Sequence, residues 1–298
     1  MPSLSPRGFI PFCQARIDLC MSLSPDRFSV CIEVIFFEVP FLERIAKVKE
    51  LGLPFVEFWR WGNKDLAGIK HEIQRNGLSV RMFALDSLDP TTTECFTNRD
   101  KGILVNPAMR KSFLTGLQDS IRVAHELGCT MLCATSGNEQ KHLSREEQHQ
   151  SIVDGLKKAA PILEKEKILL VLEPVNSLVN HPGIYLAKAS EGFEIVKKVN
   201  SPCVKILYDV SHQQIMEGNL ISTIRNNIDW IGHFHINDVP GRTEPGHGEI
   251  YFPNLFKTIG DANYTGSLGL EYKPTHSPSR KTVEDCLKCA LISFPVNK

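Results

Sequence analysis

The amino-acid sequence predicts an α/β protein with the fold of a single-domain (β/α)₈ TIM barrel. Eight short apolar runs alternate with amphipathic stretches from Phe28 onward, which is the pattern of repeated βα units. The run Ile168-Leu-Leu-Val-Leu172 lacks polar alternation, which is typical of a parallel strand covered on both faces. A length of 298 residues fits one barrel of this kind. The rival fold, an open doubly wound sheet, requires a glycine-rich fingerprint after its first strand, and the sequence has none there.

The predicted strands are the eight apolar runs of this alternation. In a TIM barrel the carboxyl ends of all strands meet at one face, where the chemistry of the fold takes place. The residues that close these runs are therefore expected to share one site. We place the strands at residues 28–32, 55–58, 79–83, 131–134, 168–172, 204–208, 230–236 and 267–270.

Helical periodicity and capping residues mark the segments between the strands. Gly52 and Gly128 each follow the last apolar residue of a helical pattern, as a C-terminal cap does. Ser144 and Glu147 have the spacing of a capping box at the start of a helix. We place helices at residues 41–51, 66–75, 107–127, 144–165, 186–199, 220–227, 252–259 and 283–292.

The composition argues against two classes of partner. Lys plus Arg and Asp plus Glu number 34 each, so the formal net charge is zero and no basic surface for nucleic acid is indicated. No apolar stretch approaches the length of a transmembrane helix. We therefore predict a small-molecule substrate, with no nucleic-acid and no membrane partner.

The first 25 residues differ from the rest of the chain. They contain four prolines and show no clear periodicity, and their apolar patch is too short for a secretory signal. We predict that residues 1–25 are a poorly ordered extension and that residues 26–298 form the barrel. The nine cysteines have no regular spacing, which favours buried thiols in a reducing compartment and a cytoplasmic protein.

Residues of metal-ligand type close four consecutive predicted strands. Glu173, Asp209, His235 and Glu271 each follow directly on an apolar run, at the ends of the fifth to the eighth strand. Three carboxylates converging on one barrel mouth would repel one another, and a divalent cation removes that penalty. The donor set suits Mn²⁺ or Mg²⁺, and Co²⁺ or Zn²⁺ also fit. Taken singly, each residue also fits a helix cap, an ion pair or a hydrogen-bonded core histidine.

This ligand set also predicts proton transfer. Glu173 and Glu271 come from opposite sides of the predicted site, so they can remove a proton from a carbon of a hydroxy-carbonyl substrate and return it. Return to the adjacent carbon is isomerisation, and return to the other face of the same carbon is epimerisation. His212 and Arg242 follow the sixth and seventh strands, where they could bind substrate oxygens or lie on the surface.

Further residues near the predicted mouth are ambiguous. Lys273 could reach an acid group of the substrate or could be solvated. Trp59 and Trp61 follow Glu57 at the end of the second strand and could wall the pocket or pack in the core.

In several motifs the chain resembles the hydroxypyruvate isomerase family of xylose-isomerase-like TIM barrels, a group that also includes ketose 3-epimerases. The resemblance covers about residues 28 to 275. The motifs are Leu172-Glu-Pro-Val-Asn176, Ile206-Leu-Tyr-Asp-Val-Ser-His212, Ile231-Gly-His-Phe-His-Ile-Asn-Asp238, Gly241-Arg-Thr-Glu-Pro-Gly-His-Gly-Glu249 and Gly269-Leu-Glu-Tyr-Lys-Pro274.

The resemblance implies that Glu173, Asp209, His235 and Glu271 bind the metal, that Glu173 and Glu271 are the acid/base pair, and that His212 and Arg242 contact the substrate. It implies an isomerase acting on hydroxypyruvate or a similar short hydroxy-keto substrate, with a ketose 3-epimerase as the alternative. His235 matches the epimerase branch, whereas Val179 stands where epimerases carry a sugar-binding Glu.

The resemblance allows a homo-oligomer as well, although the sequence points to no interface. Two other classes of protein fit this sequence less well. A nuclease for abasic DNA would need more His ligands and a basic groove, and a metabolite-binding barrel without turnover would not need the Glu173 and Glu271 pair.

Overall fold

A closed barrel of eight parallel strands forms the centre of the molecule. The computed structural model describes residues 24–292, and within them each strand pairs with its neighbours in sequence order, with β8 closing on β1. This confirms the predicted TIM barrel. The strands are β1 Phe28–Cys31, β2 Phe55–Arg60, β3 Ser79–Ala84, β4 Met131–Ala134, β5 Leu169–Leu172, β6 Val204–Asp209, β7 Ile231–Ile236 and β8 Leu268–Leu270.

Helices surround the strands on the outside of the barrel. All eight predicted helices are present, with bounds that differ by a few residues from those predicted. The helices are α1 Glu43–Glu50, α2 Leu66–Asn76, α3 Pro90–Thr97, α4 Arg110–Leu127, α5 Arg145–Glu166, α6 Ala189–Val199, α7 Val210–Met216, α8 Leu220–Asn227, α9 Phe252–Asp261 and α10 Arg280–Ile292.

The helix ends follow local side-chain chemistry. Ser144 and Glu147 form the predicted capping box of α5, in which each side chain binds the other residue's backbone N–H. Gly128 ends α4 at a positive φ of 67°, a conformation that suits glycine. Two helices were not predicted, α3 and α7. The α3 helix begins at Asp89-Pro90, whose side-chain cap and proline are a recognisable start signal.

The apolar core has two layers. Side chains at alternate positions face the surrounding helices and form a large outer cluster. The inward positions of β3 to β6 form a smaller cluster inside the barrel, of Met82, Met131, Cys133, Val171 and Leu207. The inner cluster leaves the inward positions of β7 to His233 and His235 and that of β8 to Gly269, and this division sets the place of the candidate site.

Some predictions lie beyond what the described residues can test. The predicted extension, residues 1–25, lies almost wholly outside them. Within residues 24–292, no helix combines the length and apolar character that a membrane span requires. None of the cysteines in this range forms a disulfide bond.

Candidate metal centre and active site

The four residues of metal-ligand type come together at the carboxyl ends of the strands. One oxygen or nitrogen atom from each of Glu173, Asp209, His235 and Glu271 lies within 4.8 Å of the corresponding atom of every other member. His235 Nδ1 is 2.7 Å from Glu271 Oε2 and 3.7 Å from Glu173 Oε1. All four side chains are largely or fully buried. The geometry therefore brings together the set expected from the strand ends.

Unsatisfied polar atoms test whether a cation fits this group. Glu173 Oε1 and His235 Nδ1 are buried and make no hydrogen bond of acceptable geometry. Buried polar atoms are rarely left in this way, because their lost hydration is costly. Both atoms face the same point between the carboxylates. A divalent cation there would satisfy both and would offset the repulsion among the three acids, so the residues present fit such an ion.

A second carboxylate fixes the orientation of the His235 ring. His235 Nε2 lies 3.1 Å from Glu57 Oε2, while Glu57 Oε1 lies 2.9 Å from His233 Nε2 and accepts a hydrogen bond from Ser29. Burial alone would raise the pKa of Glu57, but His233 and His235 lower it below its ordinary value. Because a carboxylate occupies Nε2, the Nδ1 atom is left to face the ligand group.

This arrangement around Glu57 is a second cluster of ligand-type residues, but it shares His235 with the first. Its members, Glu57, His233 and His235, are buried, and each histidine lies at hydrogen-bonding distance from Glu57. A glycine makes room for it: a Cβ on Gly269 would lie 2.8 Å from both Glu57 oxygens and from His233 Nε2. The cluster therefore supports the first group and does not form an independent centre.

Arg242 and Asn237 hold the remaining carboxylates. Arg242 Nη2 lies 3.3 Å from Asp209 Oδ2 and also donates to Glu271 Oε2. Asn237 Nδ2 donates to Asp209 Oδ2 at 2.9 Å. Burial opposes ionisation of Glu271, but the neighbouring Arg242 and His235 lower its pKa to about 2. Glu271 is therefore held as a carboxylate at neutral pH.

A short loop after β7 places the Arg242 side chain. Asp238 organises it, because its carboxylate accepts hydrogen bonds from the backbone N–H groups of Val239, Gly246, Gly248 and Ile250. Arg242 itself has a φ of 57°, in the left-handed region that non-glycine residues seldom adopt. Strained conformations of this kind persist where the surrounding structure enforces them, as at ligand-binding sites.

A cavity of about 460 Å³ opens beside the four ligands. Its wall includes His212, whose Nδ1 lies 2.6 Å from the Asn176 amide nitrogen and so accepts a hydrogen bond. The buried Nε2–H of His212 has no protein partner and remains available to a ligand. The His181 ring lies 5.3 Å from that of His212. Burial and the nearby Arg99 charge lower the pKa of His181 to about 3, so this ring is neutral at physiological pH.

The two tryptophans play different parts. Trp59 lines the cavity, and its indole N–H donates to Glu271 Oε1 at 2.7 Å. Trp61 is 1 % exposed and donates to Ser120 in the core, so it packs and does not wall the pocket.

The structure brings His212 and Arg242 to the cavity with Glu173, His235 and Glu271. Lys273 is exposed and is not among the lining residues. Glu57 was predicted only as the end of the second strand, and several other residues around the site had no predicted role. For Asn176 and Asn237 the available signal was their position in the quoted motifs, a few residues after Glu173 and His235. The neighbours without an assigned part are Arg60, Arg99, Asn176, His181, His233 and Asn237.

Comparison with known proteins defines the class of this chain. Residues 45–289 match the family model described as xylose isomerase-like TIM barrel. The match spans most of the barrel, from α1 into α10, and includes the four ligand-type residues. The chain belongs to this family.

Individual relatives narrow the class. Hydroxypyruvate isomerase of Escherichia coli is 36 % identical over 83 % of this chain and 93 % of its own length. The 2-oxo-tetronate isomerase of Cupriavidus necator is 27 % identical, with the same coverage of both chains. The crystal structure of a Brucella melitensis protein named AP endonuclease, family 2, superposes with a TM-score of 0.79 at 29 % identity, covering 88 % of this chain and 98 % of the other. The relatives that match by sequence confirm the predicted enzyme class, an isomerase.

Proposed function

We propose that this protein is a metal-dependent isomerase that converts hydroxypyruvate, or a similar short hydroxy-keto substrate, into its aldehyde isomer. One observation carries the proposal: four ligand-type side chains meet beside a cavity, with Glu173 Oε1 and His235 Nδ1 left without hydrogen bonds. The names of the relatives in Escherichia coli and Cupriavidus necator support the same reaction class. Neutral net charge speaks against a nuclease, and the second group of ligand-type residues among the described residues, Glu57 with His233 and His235, shares His235 with the first.

Glu173, Asp209, His235 and Glu271 would hold the ion, with Mn²⁺ or Mg²⁺ as the metals that best suit three carboxylates and one imidazole. When bound, the ion supplies Lewis-acid stabilisation of the negative charge that develops on the substrate oxygens. Glu57 keeps His235 Nδ1 directed at the ion through the contact at Nε2. Trp59 and Arg242 orient Glu271 by donating to its two oxygens.

Glu173 is the better base of the pair, because Glu271 accepts hydrogen bonds at both oxygens from Trp59 and Arg242, whereas the only hydrogen bond that Glu173 accepts at its side chain among the described residues is a 3.8 Å contact from the Cys133 thiol to Oε2. In the proposed reaction it takes a proton from the hydroxyl-bearing carbon and returns it to the adjacent carbon. A proton passes from the hydroxyl to the former carbonyl oxygen, so the isomer has the same composition. His212 offers its Nε2–H to a substrate oxygen. With a ketose whose hydroxyl-bearing carbon is a stereocentre, delivery of a proton from Glu271 to the opposite face of that carbon would instead give an epimer.

A substrate panel tests this proposal. We expect the purified protein with Mn²⁺ to isomerise hydroxypyruvate, to incorporate deuterium from D₂O at the reacting carbon, and to stop when EDTA is added. Product formation and deuterium incorporation would be followed by NMR. Tagatose and erythrulose serve as the neutral comparison. Epimerisation of these ketoses without turnover of hydroxypyruvate would contradict the proposal and favour the 3-epimerase.

A further inference from the structure

Two arginines of the cavity wall, Arg60 and Arg99, have no hydrogen-bond or ion-pair partner for their guanidinium groups among the described residues. Arg60 is the last residue of β2, and Arg99 lies in the turn that follows α3. Both line the cavity that contains Glu173 and His212. Within residues 24–292, neither guanidinium group makes a hydrogen bond or an ion pair. By contrast, Arg242 of the same cavity is paired with two carboxylates.

The polar groups of the cavity are separated by charge. The carboxylates gather at the ligand group, whereas the atoms available elsewhere in the wall are donors or neutral ring nitrogens. Arg242 Nε, His212 Nε2 and His181 Nδ1 are all buried without a hydrogen-bond partner. Once a divalent ion balances the three acids, the positive charges of the wall exceed the negative ones. Such a lining favours an anionic ligand over a neutral one.

A series of side chains leads from the ligand group along the cavity wall to His181. His212 Nε2 lies 3.9 Å from Asp209 Oδ2, and the His181 ring follows at 5.3 Å from that of His212. Arg99 lines the same cavity, and its charge contributes to the lowered pKa of His181. The cavity of about 460 Å³ is larger than a three-carbon acid needs, so a substrate held at the ion can extend along this wall.

We infer that Arg60 and Arg99 bind the carboxylate of the substrate and thereby select hydroxy-oxo acids over neutral ketoses. The planar guanidinium group matches a carboxylate and can form paired hydrogen bonds with it. The carbonyl and hydroxyl oxygens of the same substrate face the ligand group. This inference rests on the proposed function, because it assigns the acid end of the molecule whose other oxygens the ion would hold.

A binding experiment without turnover tests the inference. Calorimetry on the Mn²⁺-loaded protein would compare a four-carbon sugar acid, erythronate, with its neutral counterpart erythritol, neither of which can be isomerised. We expect the double variant Arg60→Gln/Arg99→Gln to bind erythronate about tenfold to 100-fold more weakly than the wild-type protein, with unchanged affinity for erythritol. Each single variant should lose part of this affinity. Kinetics on hydroxypyruvate should show a raised KM with little change in kcat.

A matched control lies two residues away. Lys101 pairs with Glu94 at 3.3 Å and is not among the residues of the cavity wall, so Lys101→Gln should bind erythronate as the wild type does. Unchanged erythronate affinity in the double variant would overturn the inference, because the acid would then be held by the ion alone. An equal loss for erythronate and erythritol would also overturn it. Failure of wild-type protein to isomerise any acid, with the binding pattern intact, would refute the proposed function and leave the carboxylate site standing.

Discussion

The two halves of the barrel mouth differ in the chemistry that they present. Strands β5 to β8 deliver Glu173, Asp209, His235 and Glu271, one at each strand end. Strands β1 to β4 deliver no member of that group. They contribute instead the buried Glu57, the indole of Trp59 and the apolar wall of the cavity.

Under the proposed function, this difference separates the groups that react from the groups that orient them. The acidic half would be unstable without a cation, because its carboxylates lie within 4.8 Å of one another. The other half supplies residues that fix the orientations of the imidazole ring and of a carboxylate. Their effect on the reaction is therefore indirect. Substitutions in the acidic half should therefore affect the chemical step most, and those in the supporting half should affect affinity.

The largest effect is expected for the two proposed acid/base residues. Glu173→Gln and Glu271→Gln should each lower kcat for hydroxypyruvate by about 10²- to 10⁴-fold, since the amide cannot take up the proton. The measurement is initial rate by NMR at saturating substrate. Glu249→Gln is the control, because among the described residues the exposed side chain of Glu249 accepts a hydrogen bond only from Gln214. Comparable activity in Glu173→Gln and Glu249→Gln would remove Glu173 from the reaction.

A smaller effect is expected for the supporting half. Glu57→Gln should weaken Mn²⁺ binding by about 10- to 100-fold, because the amide no longer draws the Nε2–H of His235 and holds the ring less well. Metal titration followed by electron paramagnetic resonance gives this affinity independently of activity.

Glu38→Gln is the control for that titration, since Glu38 follows β1 in the same half of the barrel and its carboxylate binds Ser279 instead of a residue of the ligand group. Unchanged Mn²⁺ affinity in Glu57→Gln would break the proposed division between reacting and placing groups. A stoichiometry of two ions in the wild-type protein would show instead that the Glu57 cluster is a metal site itself.

The smallest effect concerns stability and pH. His181 has a pKa of about 3 in the folded protein, below the ordinary value of 6.5, because burial and Arg99 disfavour its charged form. The unfolded chain therefore binds a proton that the folded protein does not, and stability is lost as pH falls below 6.5 toward 3. The His181→Gln variant should lose less stability than the wild type between pH 7 and pH 5, because the wild type takes up about one more proton on unfolding.

Urea unfolding at several pH values measures this difference. His125→Gln serves as the control, because His125 is about half exposed and pairs with Glu166 at the surface. Parallel stability curves for wild type and His181→Gln would contradict a neutral, buried His181 and so weaken the charge separation described for the cavity.

The sequence predicted the strands and the ligand group because both are written in local patterns. Each ligand directly follows an apolar run, and a TIM barrel brings all such ends to one face. Glu57 was different: its partner His235 lies 178 residues away, and nothing local distinguishes it from an ordinary buried acid. Arg60 and Arg99 were missed because an unpaired cation can be recognised only once its surroundings are known.

The missed helices have equally physical causes. The α7 helix directly follows the ligand Asp209, which also caps it by accepting from the His212 N–H. One residue thus ends a strand, starts a helix and joins the ligand group. A sequence pattern assigns one role to each residue, so no helix was predicted directly after the sixth strand.

Gly269 gives the inside of β8 a meaning beyond backbone freedom. Because a methyl group there would collide with Glu57 and His233, the missing side chain of Gly269 leaves the space that these two residues occupy beneath the ligand group. Any enlargement, even to alanine, would push outward the very acid that aims His235. The lack of a side chain at Gly269 thus helps to set the orientation of the His235 imidazole.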